Sequence, residues 1–245
     1  MPSFYYPEIE KGHSVYTVKG EEYHHIIQVL RKRTGDQVLI TTGRGILAEA
    51  EIQEVTKKEL LISVTKITEF KQTHPYMALG FALLKNRHDH LIIEKCTELG
   101  CQAFYPVETE RTIRKGNDNL SDKLLKVAIA AIKQCDNAWL PEIGECHDLE
   151  TTLQKMRSDG FLPVVALETG ESEHLFTVRE SAGDQPLGLI IGPEGGFSEA
   201  ERKLFELEKV QTITLGNHIL RAETAAIAAI SLLAGVNHYH NRDYY

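Results

Sequence analysis

Two short stretches near the C-terminus carry residue types from which a reacting site is assembled. One is Ile191-Gly192-Pro193-Glu194-Gly195-Gly196-Phe197; the other runs Leu215-Gly216-Asn217-His218-Ile219-Leu220-Arg221-Ala222-Glu223-Thr224-Ala225. Three glycines within five residues let the backbone approach a flat or zwitterionic ligand closely, and Glu194 adds an anion where a cationic ligand would be met. The first stretch has neither the lysine and Ser/Thr of a P-loop nor G-x-G-x-x-G spacing, which argues against a nucleoside triphosphate. Arg221 is the informative residue. A cation opening a helix is disfavoured by the macrodipole unless an anion faces it. An RNA phosphate, the carboxylate of a bound cofactor, or Glu194 would each serve. Glu223, by contrast, is explained by the macrodipole alone. The bland alternative is a pair of tight turns at strand ends, where glycine is common.

Both stretches follow short apolar runs, residues 187–191 and 212–215, and both precede helical patterns. Ligands of open α/β sheets bind outside the carboxyl ends of the strands, so the two loops are expected to build one site. Upstream, residues 76–82, 103–107 and 163–167 read as strands, and 90–99, 121–134 and 148–156 as helices, the second capped by Ser121 or Asn119. Such alternation implies a largely parallel sheet with helices on both faces. Ser198 followed by Glu201 is a capping box that starts a helix over 199–208. Residues 223–233 are apolar around nearly the whole circumference, which predicts burial in the core or in a subunit interface and hence a homodimer.

Residues 1–70 form a separate β-rich module. Strands are expected at 36–41, 46–55 and 60–67, a turn at Thr42-Gly43-Arg44-Gly45, and one helix at 21–30. A small barrel with one helix fits, and residues 69–75 read as the linker to a second domain spanning 76–245. The net charge of −8 disfavours nucleic acid only weakly, because ten Lys/Arg balance ten Asp/Glu over residues 1–71 and the whole excess lies beyond. The basic residues cluster as Arg31 with Arg33, Lys85 with Arg87, and Arg111 with Arg114. These groups mark either solvated faces or a phosphate-contacting surface, and the second reading is preferred. No run of 18 apolar residues exists, so no membrane span is expected. The N-terminal residues lack signal-peptide character, which points to a cytoplasmic protein. The four cysteines form no C-x-x-C pair, so no metal site is expected and the thiols read as reduced.

The stretch Ile-Gly-Pro-Glu-Gly-Gly-Phe-Ser at 191–198, paired with Leu-Gly-x-x-Ile-Leu-Arg-Ala-Glu-Thr-Ala at 215–225, closely resembles the ribosomal RNA small subunit methyltransferase E family. The likeness extends through Lys95-Cys96-Thr97-Glu98-Leu99-Gly100, Glu110-Arg111, Lys133-Gln134-Cys135 and Pro141, and back to His25-Ile26-Ile27-Gln28-Val29-Leu30-Arg31 with Gly35-Asp36. The resemblance implies an S-adenosyl-L-methionine-dependent enzyme of the SPOUT class that methylates N3 of a decoding-region uridine in 16S rRNA. It further implies a PUA-like N-terminal RNA-binding β-barrel, a homodimer, and a trefoil knot in the C-terminal α/β domain.

Under this resemblance the cofactor contacts fall at Leu167, Glu168, Gly192, Pro193, Gly195, Gly196, Leu215, Gly216, Ile219, Leu220, Thr224 and Ala225. Arg221 matches the family's functional arginine, while the proton acceptor stays open among Glu194, Glu223, Glu98 and a water. One departure concerns Gln134-Cys135, which leads here to Asp136-Asn137-Ala138-Trp139 where family members commonly carry an arginine. The rival readings are another SPOUT enzyme such as a tRNA ribose methyltransferase, a non-catalytic RNA-binding dimer, and a small-molecule enzyme of the same fold class.

Overall fold

The computed structural model describes residues 3–85, 88–168 and 172–240, so Arg87 lies outside the described residues. The chain divides into two compact units, Met1–Gln72 with Ile129–Leu140, and Thr73–Ala128 with Pro141–Tyr245.

In the first unit β1 (Phe4–Tyr5), β2 (Val15–Lys19), β3 (Gln37–Thr41), β4 (Ile46–Val55) and β5 (Glu59–Glu69) form one sheet in the order β1-β3-β4-β5-β2. Alternation in β4 turns Ala48, Ala50 and Ile52 inward against Val38, Ile40, Leu60 and Ile62. Register shifts at Glu49/Ala50 and Ile52/Glu54 mark irregularities of the kind that bend a strand and tighten its twist. The expected helix is present as α1 (Gly20–His24), which continues as a π-helical turn over His25–Val29 and buries Tyr23 and Ile26. The two strands that sequence alone did not suggest, β1 and β2, are short, and Val15 at the start of β2 is exposed.

Residues 137–140 have a structural task in this unit. The N–H of Gly45 donates to Ala138 O at 2.8 Å and that of Leu140 to Gly43 O at 2.9 Å. The Thr41 hydroxyl donates to Asn137 O at 2.7 Å, and the Trp139 indole N–H to Phe70 O at 3.1 Å. Residues 137–140 thus act as a strap across the end of the sheet. Lys133, just upstream, pairs with Glu22 at 2.6 Å.

The second unit alternates strand and helix: β6 (Met77–Ala82), α2 (His88–Glu98), β7 (Ala103–Glu108), α3 (Leu120–Cys135, whose last turns belong to the first unit), β8 (Glu142–Ile143), β9 (His147–Asp148), α4 (Leu149–Ser158), β10 (Leu162–Ala166), β11 (Glu173–His174), α5 (Leu175–Ala182), β12 (Leu187–Ile191), α6 (Glu199–Leu207), β13 (Gln211–Thr214) and α7 (Ala222–His240). The sheet order is β11-β13-β10-β12-β6-β7-β8, with β9 also on β7, and every pairing is parallel. Parallel strands covered on both faces read as continuous apolar runs, and all residues of β6 and β12 are buried. Two glycines in these strands admit a helix. A Cβ at Gly80 would fall 2.9 Å from Met156 Cε, and one at Gly188 3.0 Å from Met156 Sδ, so α4 packs close on the sheet.

Of the two caps expected for α3, Asn119 directly precedes its first residue, while Ser121 lies in its first turn and donates its hydroxyl to Gly144 O at 3.1 Å. Helix α7 buries Ala222, Ala226, Ala229, Ile230 and Leu233 within the chain, while Thr224, Ser231 and Gly235 are exposed. Among the described residues no helix is long and apolar enough to cross a membrane.

Gly45 is where the strap is tightest. Its φ is +89°, and a Cβ would lie 2.4 Å from Trp139 Cζ2 and 3.0 Å from Phe70 O. Gly45→Ala is expected to destabilise the first unit by at least the roughly 1–2 kcal/mol of a left-handed alanine. It should also shift the emission of Trp139, the protein's single tryptophan, towards that of a solvated indole. Denaturant titration followed by tryptophan fluorescence checks both.

Candidate functional site

Strands β13, β10 and β12 are neighbours and end level, since Ala166 pairs with Ile191 on one side and Ile213 on the other. The loops beyond these ends enclose one cleft of about 250 Å³. Ten of the expected cofactor residues line it: Leu167, Glu168, Gly192, Pro193, Gly196, Leu215, Gly216, Ile219, Leu220 and Ala225. Glu194 and Arg221 line it too, and both are exposed. Gly195, Thr224 and Glu223 are not on the wall. Thr224 is exposed on α7, and Glu223 is buried in its first turn with a carboxylate oxygen 3.2 Å from His88 Nδ1. Phe197, Arg202 and His218 line the cleft without having been picked out from sequence. For Arg202 a signal existed, because four residues past the cap Ser198 a side chain returns to the cap's face of the helix.

Neighbours, rather than flexibility, explain the glycines of the first loop. A Cβ at Gly192 would lie 2.9 Å from the Phe197 ring, and one at Gly196, where φ is +66°, 3.1 Å from Glu168 Oε2. Phe197 is itself held edge-on to Phe205, centroids 5.0 Å apart. The Gly196 N–H closes a turn onto Pro193 O at 2.9 Å. Then comes the capping box: Ser198 Oγ accepts from the Glu201 N–H at 3.2 Å, and Glu201 Oε2 accepts from the Ser198 N–H at 2.7 Å. The other oxygen of Glu201 reaches a different loop, accepting from the Glu110 N–H at 2.9 Å, although Glu201 is only 7% exposed. The second loop is set by Thr214, whose hydroxyl accepts from the Gly216 N–H at 3.3 Å, where φ is +139°.

The resulting cleft has an apolar wall (Leu167, Ile191, Leu215, Leu220), two carboxylates (Glu168, Glu194) and cationic groups at Arg202 and Arg221. A flat ring, a cation and an anion would each meet a complementary surface there.

The basic residues are arranged differently. Arg31 is exposed with φ +55°, and Arg33 is exposed with its backbone N–H on Asp36 Oδ2 at 2.7 Å. Lys85 is exposed. Arg111 donates to Gly195 O at 2.6 Å, and Arg114 pairs at 2.5 Å with the fully buried Asp89. Glu98 pairs with Lys95 at 2.9 Å. The cysteines are unbridged; burial pushes the Cys101 thiol up to about 12 and raises Cys96 as well. Among the described residues no group of potential ligands could hold a metal ion.

Comparison with known proteins gives a consistent likeness. A family profile described as an RNA methyltransferase domain matches residues 72–234, and one described as an RNA methyltransferase PUA domain matches 18–65. The chain is 31% identical over 230 residues to ribosomal RNA small subunit methyltransferase E of Bacillus subtilis, covering 89% of each chain. The protein of the same name from Synechocystis is 28% identical over 218 residues, covering 88% of this chain and 71% of that one. Among solved structures, a methyltransferase from Legionella pneumophila in complex with SAM superposes with a TM-score of 0.86 at 27% identity, covering 96% of this chain and 97% of that one. Ribosomal RNA small subunit methyltransferase E from Neisseria gonorrhoeae, bound to S-adenosyl methionine, shares the fold with a TM-score of 0.87 at 24% identity, covering 96% and 98%.

The dual role of Glu201 makes a measurable difference between two substitutions. Ser198→Ala removes one cap and is expected to cost about 1 kcal/mol. Glu201→Ala also strands the Glu110 N–H, and is expected to cost roughly 2–3 kcal/mol in all. Guanidinium unfolding followed by circular dichroism ranks the two.

Proposed function

We infer the function of this protein from the premise that the chain belongs to the ribosomal RNA small subunit methyltransferase E family. The protein transfers a methyl group from S-adenosyl-L-methionine to N3 of a decoding-region uridine in 16S rRNA. It does so as a cytoplasmic homodimer that matures the small ribosomal subunit, with the trefoil knot and SPOUT architecture of that family. The cleft at the ends of β10, β12 and β13 is the observation that carries this reading.

The residues present suit such a cofactor. Leu167, Leu215 and Leu220 offer an apolar wall for an adenine ring, and the Glu168 and Glu194 carboxylates share the cleft that would take a sulfonium and an ammonium. A Cβ at Gly192 or Gly196 would press on Phe197 or Glu168, so glycine at both positions lets these two side chains keep their places in the cleft lining. When bound, S-adenosylmethionine supplies a methyl group on a positively charged sulfur.

The chain's own work is to bind, orient and move one proton. Uridine N3 must lose its proton before it can act as a nucleophile, because its lone pair is otherwise delocalised into the ring. Of the three candidate carboxylates, Glu223 is bonded to His88 and Glu98 to Lys95, while Glu194 stands on the cleft wall. Glu194 is therefore the assigned acceptor, directly or through one water. Arg221, exposed on the cleft wall at the amino end of α7, steadies the uracil oxygen on which charge builds as the proton leaves. Binding the base there also aligns the reacting atoms, and it requires the base to be presented unstacked. Arg31 and Arg33 in the first unit, and Lys85 in the second, contact phosphates.

Arg221→Ala is expected to lower kcat by about 10²–10³-fold while leaving cofactor affinity within tenfold. Glu194→Gln should lower kcat by about 10²–10⁴-fold. Both are read by transfer of labelled methyl to small subunits from a strain lacking this protein. Mass spectrometry of 16S rRNA from that strain is the decisive experiment: if no methyl group is missing, the reading is wrong.

A further inference from the structure

Arg111, on the loop after β7, belongs by sequence to a basic group suited to RNA phosphate. Its guanidinium is directed elsewhere. Nη1 donates to the carbonyl of Gly195 at 2.6 Å, and the aliphatic stem packs beside that residue, so that a Cβ at Gly195 would sit 3.4 Å from Arg111 Cδ. The other side of the same peptide is also held, since the Gly196 N–H donates to Pro193 O at 2.9 Å. The loop that carries Arg111 is anchored in turn: Glu201 accepts the neighbouring Glu110 N–H at 2.9 Å and the Ser198 N–H at 2.7 Å. A closed circuit results, running from Gly195 through Arg111, Glu110 and Glu201 to Ser198, three residues further along the chain from Gly195.

A glycine pair without such ties would sample a wide range of backbone angles, and fixing it on binding costs conformational entropy. We propose that Arg111 is a positioning residue of the methyl-donor site: it latches the Gly195–Gly196 peptide and sets this wall of the cleft before ligand arrives. Contact with RNA phosphate is not its task. The proposal rests on the reading that the cleft takes S-adenosylmethionine.

The test uses the full-length protein, its Arg111→Ala and Arg111→Lys variants, and no RNA in the first stage. Arg111 is exposed on a loop, and thermal unfolding verifies that the variants stay folded. S-adenosylmethionine is titrated calorimetrically, and hydrogen exchange is followed over residues 192–198 of the unliganded protein. Arg111→Ala is expected to raise the Kd about tenfold, because ordering is then charged to binding. It should also speed exchange across 192–198. Arg111→Lys should recover part of both, since an ammonium still donates to a carbonyl but lacks the planar fork. RNA affinity, measured afterwards, should keep its salt dependence.

An unchanged cofactor Kd in Arg111→Ala overturns the latch. So does a raised Kd with unchanged exchange, which would mean direct contact with the ligand. A loss confined to RNA affinity, with the salt slope reduced by about 1, would return Arg111 to the phosphate surface. Failure of the unsubstituted protein to bind S-adenosylmethionine is a separate outcome that removes the cofactor reading and the latch with it.

Discussion

Three adjacent parallel strands that end at the same level make the cleft possible. Because Ala166 is in register with both Ile191 and Ile213, the chain leaves β10, β12 and β13 side by side, and the loops that follow have no choice but to face one another. Parallel strands need crossover connections, so residues brought together here come from segments far apart in sequence. Glu168, Gly192 and Arg221 are neighbours for this reason alone. The position of β10 between β12 and β13 is therefore the constraint on which every property of the site rests.

Within that frame the loops are held by a small number of backbone hydrogen bonds from side chains. Glu201 is the central one. A buried carboxylate needs partners, and both its oxygens are met by main-chain N–H groups from two different loops. The same residue thus begins α6 and fixes the loop after β7. Glycine at 192 and 196 follows from crowding by Phe197 and Glu168, so these positions record the close approach of particular side chains more than a need for mobility.

The first unit shows how a segment distant in sequence is tied onto a sheet. The backbone of Asn137-Ala138-Trp139-Leu140 continues the hydrogen bonding of Thr41, Gly43 and Gly45. Trp139 closes over Gly45 and bonds to Phe70 O. This long-range strap had no local signature, because partners such as Thr41 with Asn137 and Phe70 with Trp139 lie 96 and 69 residues apart, and every bond uses at least one main-chain group that any residue type carries.

Much of the architecture was legible in local chemistry. The alternation of β4, the fully apolar runs of β6 and β12, and the Ser198–Glu201 box depend on spacing within a few residues, and these elements appear where the spacing predicts them. The short strands β8, β9 and β11 and the helix α5 did not announce themselves. A two-residue strand exists only because a neighbour accepts it, and α5 presents just a few buried residues.

At the site the same division holds. Sequence by itself determined that two glycine loops with Glu194 and Arg221 would sit at strand ends, because glycine, strand and helix signals are local. Only the tertiary structure decided that Glu168 covers Gly196, that Glu223 faces His88, and that Arg111 turns to a carbonyl. Those are choices of partner, and a side chain's partner is set by which strands lie next to each other.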